Sequence, residues 1–339
     1  MSSSVAARIT NVATHLPDEV LTNEQLAALF VDWPAEKILD KTGISQRRIA
    51  APDETAADLA FGAARRLFDE QGVQRGEVDF LILCTQAPDH VLPTTACLLQ
   101  DRLGLATSVG AFDINLGCSG FVYGLSVAAG LIATQAARSV LLLTADTYSK
   151  YINAGDKSVR TLFGDGAAAT LIEAAESGAI GPFVFGTDGS GGKDLIVKAG
   201  AFRTPRSEQT RIEAADASGN IRSDDNLYMN GAGVLGFTLR EVPRMFDALL
   251  RKSALTAEAL DHVVMHQANK FMVDALQKKL KLPDAKVPRL YEEIGNTVSS
   301  TIPFVLADLI ERDRLQRGQQ LALLGFGVGL SWAGGRITW

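Results

Sequence analysis

The chain of 339 residues repeats its own sequence, and that repeat restricts its architecture more than any other feature. From Leu67 to Ala87 it reads as an amphipathic helix end, a turn and a buried strand, and the pattern returns from Leu249 to Ala268 with Asp79 answering Asp261. A second echo sets Leu99-Gln-Asp-Arg-Leu-Gly-Leu against Leu276-Gln-Lys-Lys-Leu-Lys-Leu. A third sets Leu116-Gly-Cys118-Ser against Ile294-Gly-Asn296-Thr. Three matches in register at nearly constant spacing mark a duplicated unit. Continuous apolar runs such as Val140-Leu-Leu-Leu-Thr and Leu321-Ala-Leu-Leu-Gly alternate with helical patterns. Strands of that kind belong to sheets covered on both faces by helices. The expectation is an α/β fold of two halves, residues 1–180 and 181–339. The cleft should lie where the halves meet, with Cys118 and Asn296 at equivalent loop-to-helix junctions.

Cys118 follows the strand-like run Val109 to Leu116 and opens an apolar helical segment. A helix N-terminus carries partial positive charge and free N–H groups, which favour a thiolate. The thiol is therefore expected to titrate below the roughly 8.5 of a free cysteine. The bland alternative is a small buried hydrophobe. His266 leaves the buried strand Asp261-His-Val-Val-Met, a position suited to facing a cleft, although a lone histidine is commonly structural. Asn296 sits in a Gly-Asn turn before a helix and reads by itself as a cap. The run Gly325-Phe-Gly-Val-Gly-Leu-Ser-Trp exposes backbone N–H groups after a strand, or simply bends it. From Thr187 to Asn226 the chain is polar, without a clear period, and suits a lid or pocket wall.

Other classes are disfavoured. A net charge of −6 argues against nucleic acid as a general partner. The start, Met-Ser-Ser-Ser-Val-Ala-Ala-Arg, has no apolar core of a signal peptide, and the apolar stretch Phe121 to Thr134 is too short to span a bilayer. Cys84, Cys97 and Cys118 form a sparse, odd set without metal-ligand spacing, as in a reducing cytoplasm. Cys84, in a strand run, and Cys97, in an apolar helical stretch, should be unreactive.

Five motifs in order resemble the β-ketoacyl-acyl carrier protein synthase III family of thiolase-fold condensing enzymes. They are Lys41-Thr-Gly-Ile, Cys118-Ser-Gly-Phe, Phe163-Gly-Asp-Gly, His266-Gln-Ala-Asn and Gly295-Asn-Thr. The resemblance implies a thiolase-like fold layered α-β-α-β-α. It also implies that Cys118 takes an acyl group from acyl-coenzyme A. His266 and Asn296 would then hold the enolate left when a malonyl thioester on acyl carrier protein loses carbon dioxide, with His266 protonated at Nε2. The N–H groups of Cys118 and Val328 would form a second oxyanion hole. No metal or organic cofactor is implied. Substrate contacts would come from Leu162, Asn269, Lys37, Lys41 and Lys157, and the carrier protein would dock on Lys270, Lys278 and Lys279. A homodimer is implied too, with Leu92 walling the partner's acyl pocket; Leu there, in place of a ring, would admit chains longer than acetyl.

Several positions depart from the family pattern. Lys37, Lys41 and Lys157 stand where Trp or Arg is familiar, and lysine lacks the planar, bidentate grip of arginine. Phe271 replaces an expected Arg, and Val328 stands where glycine is common. These differences leave the chemistry intact and the substrates open. One alternative is an acyltransferase that passes the group to an alcohol or amine and needs no Asn296. Another is a non-catalytic carrier-binding subunit, which would lose the nucleophile. A papain-like protease shares the order Cys, His, Asn, but it would not place Cys and Asn on an internal repeat.

Overall fold

A computed structural model describes residues 5–176 and 180–339. Part of the N-terminal segment read for a leader, residues 1–4, lies outside them. The first sheet has five strands in the order Ala6–His15, Gly166–Ala175, Ser139–Asp146, Phe80–Cys84, Gly110–Ile114. Phe80–Cys84 runs parallel to both its neighbours, and the two pairings at the other end are antiparallel. The second sheet runs Ile180–Thr187, Ser331–Thr338, Gln320–Gly327, His262–Met265, with the same senses strand for strand. The duplication seen in the sequence is therefore a duplication of topology. It extends to single hydrogen bonds. The Asp79 carboxylate accepts from the Arg138 and Ser139 N–H groups at 2.7 and 3.1 Å, and Asp261 accepts from the Gln320 N–H at 2.7 Å.

The strands Phe80–Cys84, Ser139–Asp146, His262–Met265 and Gln320–Gly327 are rich in apolar residues because each buries both faces. Ile82, Val140 and Leu142 of the first sheet, and Val264, Leu321 and Leu323 of the second, turn into one shared core. That core also holds the helices Gly120–Ala133 and Thr301–Glu311, through Phe121, Leu125, Val305 and Leu309. The alternate residues Leu81, Leu83, Leu141 and Leu143 meet an outer layer containing Ala56–Asp69 and Thr95–Arg102. Val263, Met265, Ala322 and Leu324 meet the opposite outer layer, built on Gly231–Ser253 and Lys270–Leu280. Period-two alternation thus sorts side chains between two cores, and the layers run α-β-α-β-α as the thiolase-like expectation has them. At Gly124 the central helix comes so close to the sheet that a Cβ would lie 2.7 Å from Leu142 Cδ1.

Arg47 is fully buried with no carboxylate partner among the described residues. Its guanidinium donates to Leu21 O, Asn23 Oδ1 and Thr161 O at 2.9–3.0 Å, and burial lowers its pKa to about 10. Its Cβ packs behind both Gly164 and Gly295, and so ties the strand Gln46–Ile49 to the two loops that flank Asn296.

The polar stretch Thr187 to Asn226 has more structure than its sequence suggested. Leu195–Val197 pairs antiparallel with Leu227–Met229, and Ala214–Ala215 with Ile221–Arg222. The second ribbon docks through Arg222, whose Nε donates to the fully buried Asp156 carboxylate at 2.7 Å. Local charge pairing holds this segment, which is why no apolar period announces it.

Candidate active site

Cys118 and Asn296 stand before the two central helices, one from each half, and His266 follows the strand His262–Met265. All three line one cavity, together with Leu162, Asn269 and Phe163. Leu195, within the stretch Thr187 to Asn226, and Met229, just beyond it, supply part of its wall. Cys118 sits in a turn two residues ahead of the helix, which begins at Gly120. The turn is gripped from behind. The Ser119 and Ser331 hydroxyls share a 2.7 Å hydrogen bond. A Cβ on Gly327 would fall 2.9 Å from Cys118 Sγ.

The thiol itself departs from expectation. Burial, reinforced by the Asp146 carboxylate, raises Cys118 to about 12. The N–H groups of Cys118 and Val328 favour the thiolate and oppose that rise without cancelling it. A thiolate cut off from water costs more than two N–H groups and a helix end return. At rest Cys118 is a thiol.

His266 is 2 % exposed, and burial lowers its pKa to about 3, so the imidazole is neutral. Its Nδ1 lies 2.7 Å from Thr301 Oγ1, and its ring stands edge-on to Phe326 with centroids 5.5 Å apart. Asn296 Oδ1 accepts the Val298 N–H at 2.9 Å. With the amide oxygen held there, Nδ2 is left to donate. Val298 adopts φ +55°, a left-handed conformation that is costly for a β-branched residue. The Asn296 backbone is pinned as well, since its N–H donates to Leu162 O and its carbonyl accepts from the Gly164 N–H. Beneath the loop, Asp146 is fully buried and accepts from Ser299 Oγ and the Gln86 N–H, and burial raises its carboxyl to about 7.

The cavity gathers the Cys118 thiol with, from the other half, a neutral imidazole and a carboxamide whose nitrogen is free to donate. A model described as 3-oxoacyl-[acyl-carrier-protein] synthase III matches residues 112–189, and its C-terminal counterpart matches residues 250–339. A β-ketoacyl-[acyl-carrier-protein] synthase III of Caldanaerobacter subterraneus subsp. tengcongensis is 36% identical, over 100% of this chain and 99% of that one. The chain belongs to the β-ketoacyl-[acyl-carrier-protein] synthase III family. It is an acyl-transferring condensing enzyme. A crystal structure of a 3-oxoacyl-(acyl-carrier-protein) synthase III superposes with a TM-score of 0.97 at 61% identity, covering 98% of this chain and 100% of that one. The priming β-ketosynthase of the R1128 polyketide biosynthetic pathway superposes at 0.87 with 30% identity, covering 99% of this chain and 97% of that one.

Lys37, Lys41, Lys157, Leu92, Lys270, Lys278 and Lys279 do not line the Cys118 cavity, whereas Asn269 and Phe271 do. Lys157 is nearly buried, with its Nζ 2.7 Å from Asp32 Oδ2. Lys37 donates to Asp32 O at 2.9 Å and lies over the Trp33 ring, while Lys41 is exposed. Leu92 is 80% exposed on a loop beside Val91. Lys270 is paired with Asp274, whereas Lys278 and Lys279 are exposed and make no ion pair among the described residues. Phe271, 60% exposed, stands at the cavity wall beside Asn269, whose side chain caps the helix through the Met272 N–H. Cys84 is buried and donates to Leu116 O at 3.1 Å; Cys97, expected to be shielded in its helix, is exposed. Sequence reasoning missed Thr301, Val298 and Asp146. Only Thr301 left a trace, a hydroxyl at a helix start, which reads as a cap.

Proposed function

We propose that the chain joins an acyl group held on Cys118 to a malonyl thioester by decarboxylative Claisen condensation and releases a 3-oxoacyl thioester. Cys118 Sγ attacks the carbonyl of an acyl-coenzyme A, and its proton goes to the departing coenzyme A sulfur. This route suits a thiol held near 12. A malonyl group on acyl carrier protein then loses carbon dioxide, and the electrons of the broken C–C bond form an enolate. His266 Nε2–H and Asn296 Nδ2 donate to the enolate oxygen. The carbanion attacks the acyl–Cys118 carbonyl, and the N–H groups of Cys118 and Val328 hold the resulting oxyanion. The C–S bond breaks, and the sulfur leaves as a thiolate that takes a proton from solvent.

The observation that carries this reading is the tied-back Asn296 amide, whose oxygen is committed to Val298 and whose nitrogen is left to donate. A plain acyltransferase has no use for it. The test is Asn296→Ala. It should load acyl groups near the wild-type rate yet release carbon dioxide from a malonyl thioester about 10²–10³-fold more slowly. Equal condensation by mutant and wild type would favour the acyltransferase alternative.

The same reading extends to partners. Lys278 and Lys279 offer unpaired positive charge for an acidic carrier protein, an encounter that added salt weakens. The exposed pair Val91 and Leu92 suits a homodimer contact. Similarity to a polyketide priming synthase makes a specialised pathway as open to this chain as fatty-acid initiation. The proposed compartment is the cytoplasm, in keeping with three free cysteines; no helix among the described residues is long and apolar enough to cross a membrane.

A further inference from the structure

His266 has to present a hydrogen from Nε2 if it is to steady an enolate, and nothing intrinsic to a neutral imidazole puts the hydrogen there. A neutral ring carries one N–H, and the partner of the other nitrogen decides which. His266 cannot escape the choice by taking a second proton, since burial keeps it neutral. Its Nδ1 has one hydrogen-bond partner among the described residues, the Thr301 hydroxyl at 2.7 Å. That hydroxyl is 1% exposed as a residue and sits at the first position of the helix Thr301–Glu311. It has one hydrogen and two acceptors within reach, His266 Nδ1 at 2.7 Å and Val298 O at 3.2 Å. If it donates to Val298 O, Nδ1 must carry the imidazole hydrogen, and Nε2 would meet the enolate with a lone pair. If it donates to Nδ1, Nε2–H faces the cavity.

We infer that Thr301 is a positioning residue for condensation: its hydroxyl donates to His266 Nδ1 and so fixes the ring in the Nε2–H form. The shorter of the two contacts is the stronger hydrogen bond. The turn that delivers the hydroxyl is the one that orients Asn296. Val298, at φ +55°, gives its N–H to Asn296 Oδ1 and its carbonyl lies beside Thr301. The strained turn Asn296 to Thr301 therefore sets both enolate donors at once, one through a backbone N–H and one through a side-chain hydroxyl. This rests on the condensation reading above, and it adds a residue that touches neither substrate nor Cys118.

The test pairs kinetics with spectroscopy on the full chain. Thr301→Val keeps the shape and removes the hydroxyl; Thr301→Ser restores it. The valine variant should lose about 10²-fold in kcat for carbon dioxide release from a malonyl thioester, as when one oxyanion donor is withdrawn. Its KM for that substrate and its rate of Cys118 acylation should stay within a few-fold of wild type, and the serine variant should recover most of the loss. Nitrogen-15 imidazole spectra of the wild-type protein, which has four histidines, should show His266 protonated at Nε2, with assignment by the signal missing in His266→Asn. A wild-type His266 protonated at Nδ1, or a valine variant that condenses at the wild-type rate, would overturn the inference. The spectra decide it even if Thr301→Val does not fold. A wild-type protein that releases no carbon dioxide would sink the condensation reading instead, and the spectra would still report the tautomer.

Discussion

Gly327→Ala should disable the nucleophile without unfolding the protein. Gly327 ends the strand Gln320–Gly327, opposite Ser331. A Cβ built there lies 2.8 Å from Cys118 Cβ and 2.9 Å from its Sγ, whereas carbon atoms rest about 3.5–4.0 Å apart. The deficit, roughly 0.7 Å or more, has to be met by moving the cysteine or the strand. The cysteine turn has little freedom to give way, because a Cβ at Gly325 would already meet Ser119 Cα at 2.9 Å, and Ser119 is bonded to Ser331. A displacement on the order of 1 Å at a reacting atom costs about 10²-fold in rate, and overpacking costs about 1–3 kcal/mol in stability. The assay is the initial rate of acyl transfer from acyl-coenzyme A to Cys118, read by intact mass, beside a urea midpoint. Gly130→Ala serves as the control: Gly130 is exposed in the helix Gly120–Ala133 with nothing within 4 Å of its Cβ. That change should leave the rate untouched and add up to about 1 kcal/mol through helix propensity. A Gly327→Ala protein that acylates within threefold of wild type at an unchanged midpoint would refute the steric argument.

Two further outcomes follow from the buried titrating groups. Iodoacetamide at pH 8 should label the exposed Cys97 well before Cys118, whose thiol is raised to about 12, while acyl donors should modify Cys118 alone; the reverse order of alkylation would mean the thiol is activated at rest. Asp146 and His266 pull stability in opposite directions. With its carboxyl raised from 3.8 to about 7, Asp146 takes up a proton on folding, so its contribution is full below about pH 4 and is lost as pH rises through 7, at up to about 1.4 kcal/mol per unit. His266, lowered from 6.5 to about 3, contributes stability that is present above pH 6.5 and is lost as pH falls toward 3. Asp146→Asn should therefore unmask a gain in stability from pH 4.5 to 6.5 that is flatter in wild type. Parallel urea-midpoint profiles for the two proteins would contradict both assignments.

The sequence by itself determined the repeat, and through it the layers, because a strand buried on both faces has to be apolar at every position. Val140 to Leu143 and Leu321 to Leu324 carry that requirement openly. It also showed Cys118, His266 and Asn296 in order, since each ends or follows a strongly patterned element. What it could not carry was the environment of those side chains. A helix start beside Cys118 argued for a thiolate, but burial and the charge of Asp146 reverse the sign, and both come from residues distant in sequence. Lys157 looked like a free cation until Asp32, far along the chain, took its charge. Thr301, which the sequence did not single out, meets His266. Hydrophobic pattern is local and periodic, so it is written along the chain. Desolvation, ion pairing and tautomer choice depend on which groups meet across the two halves, and only tertiary structure decides that.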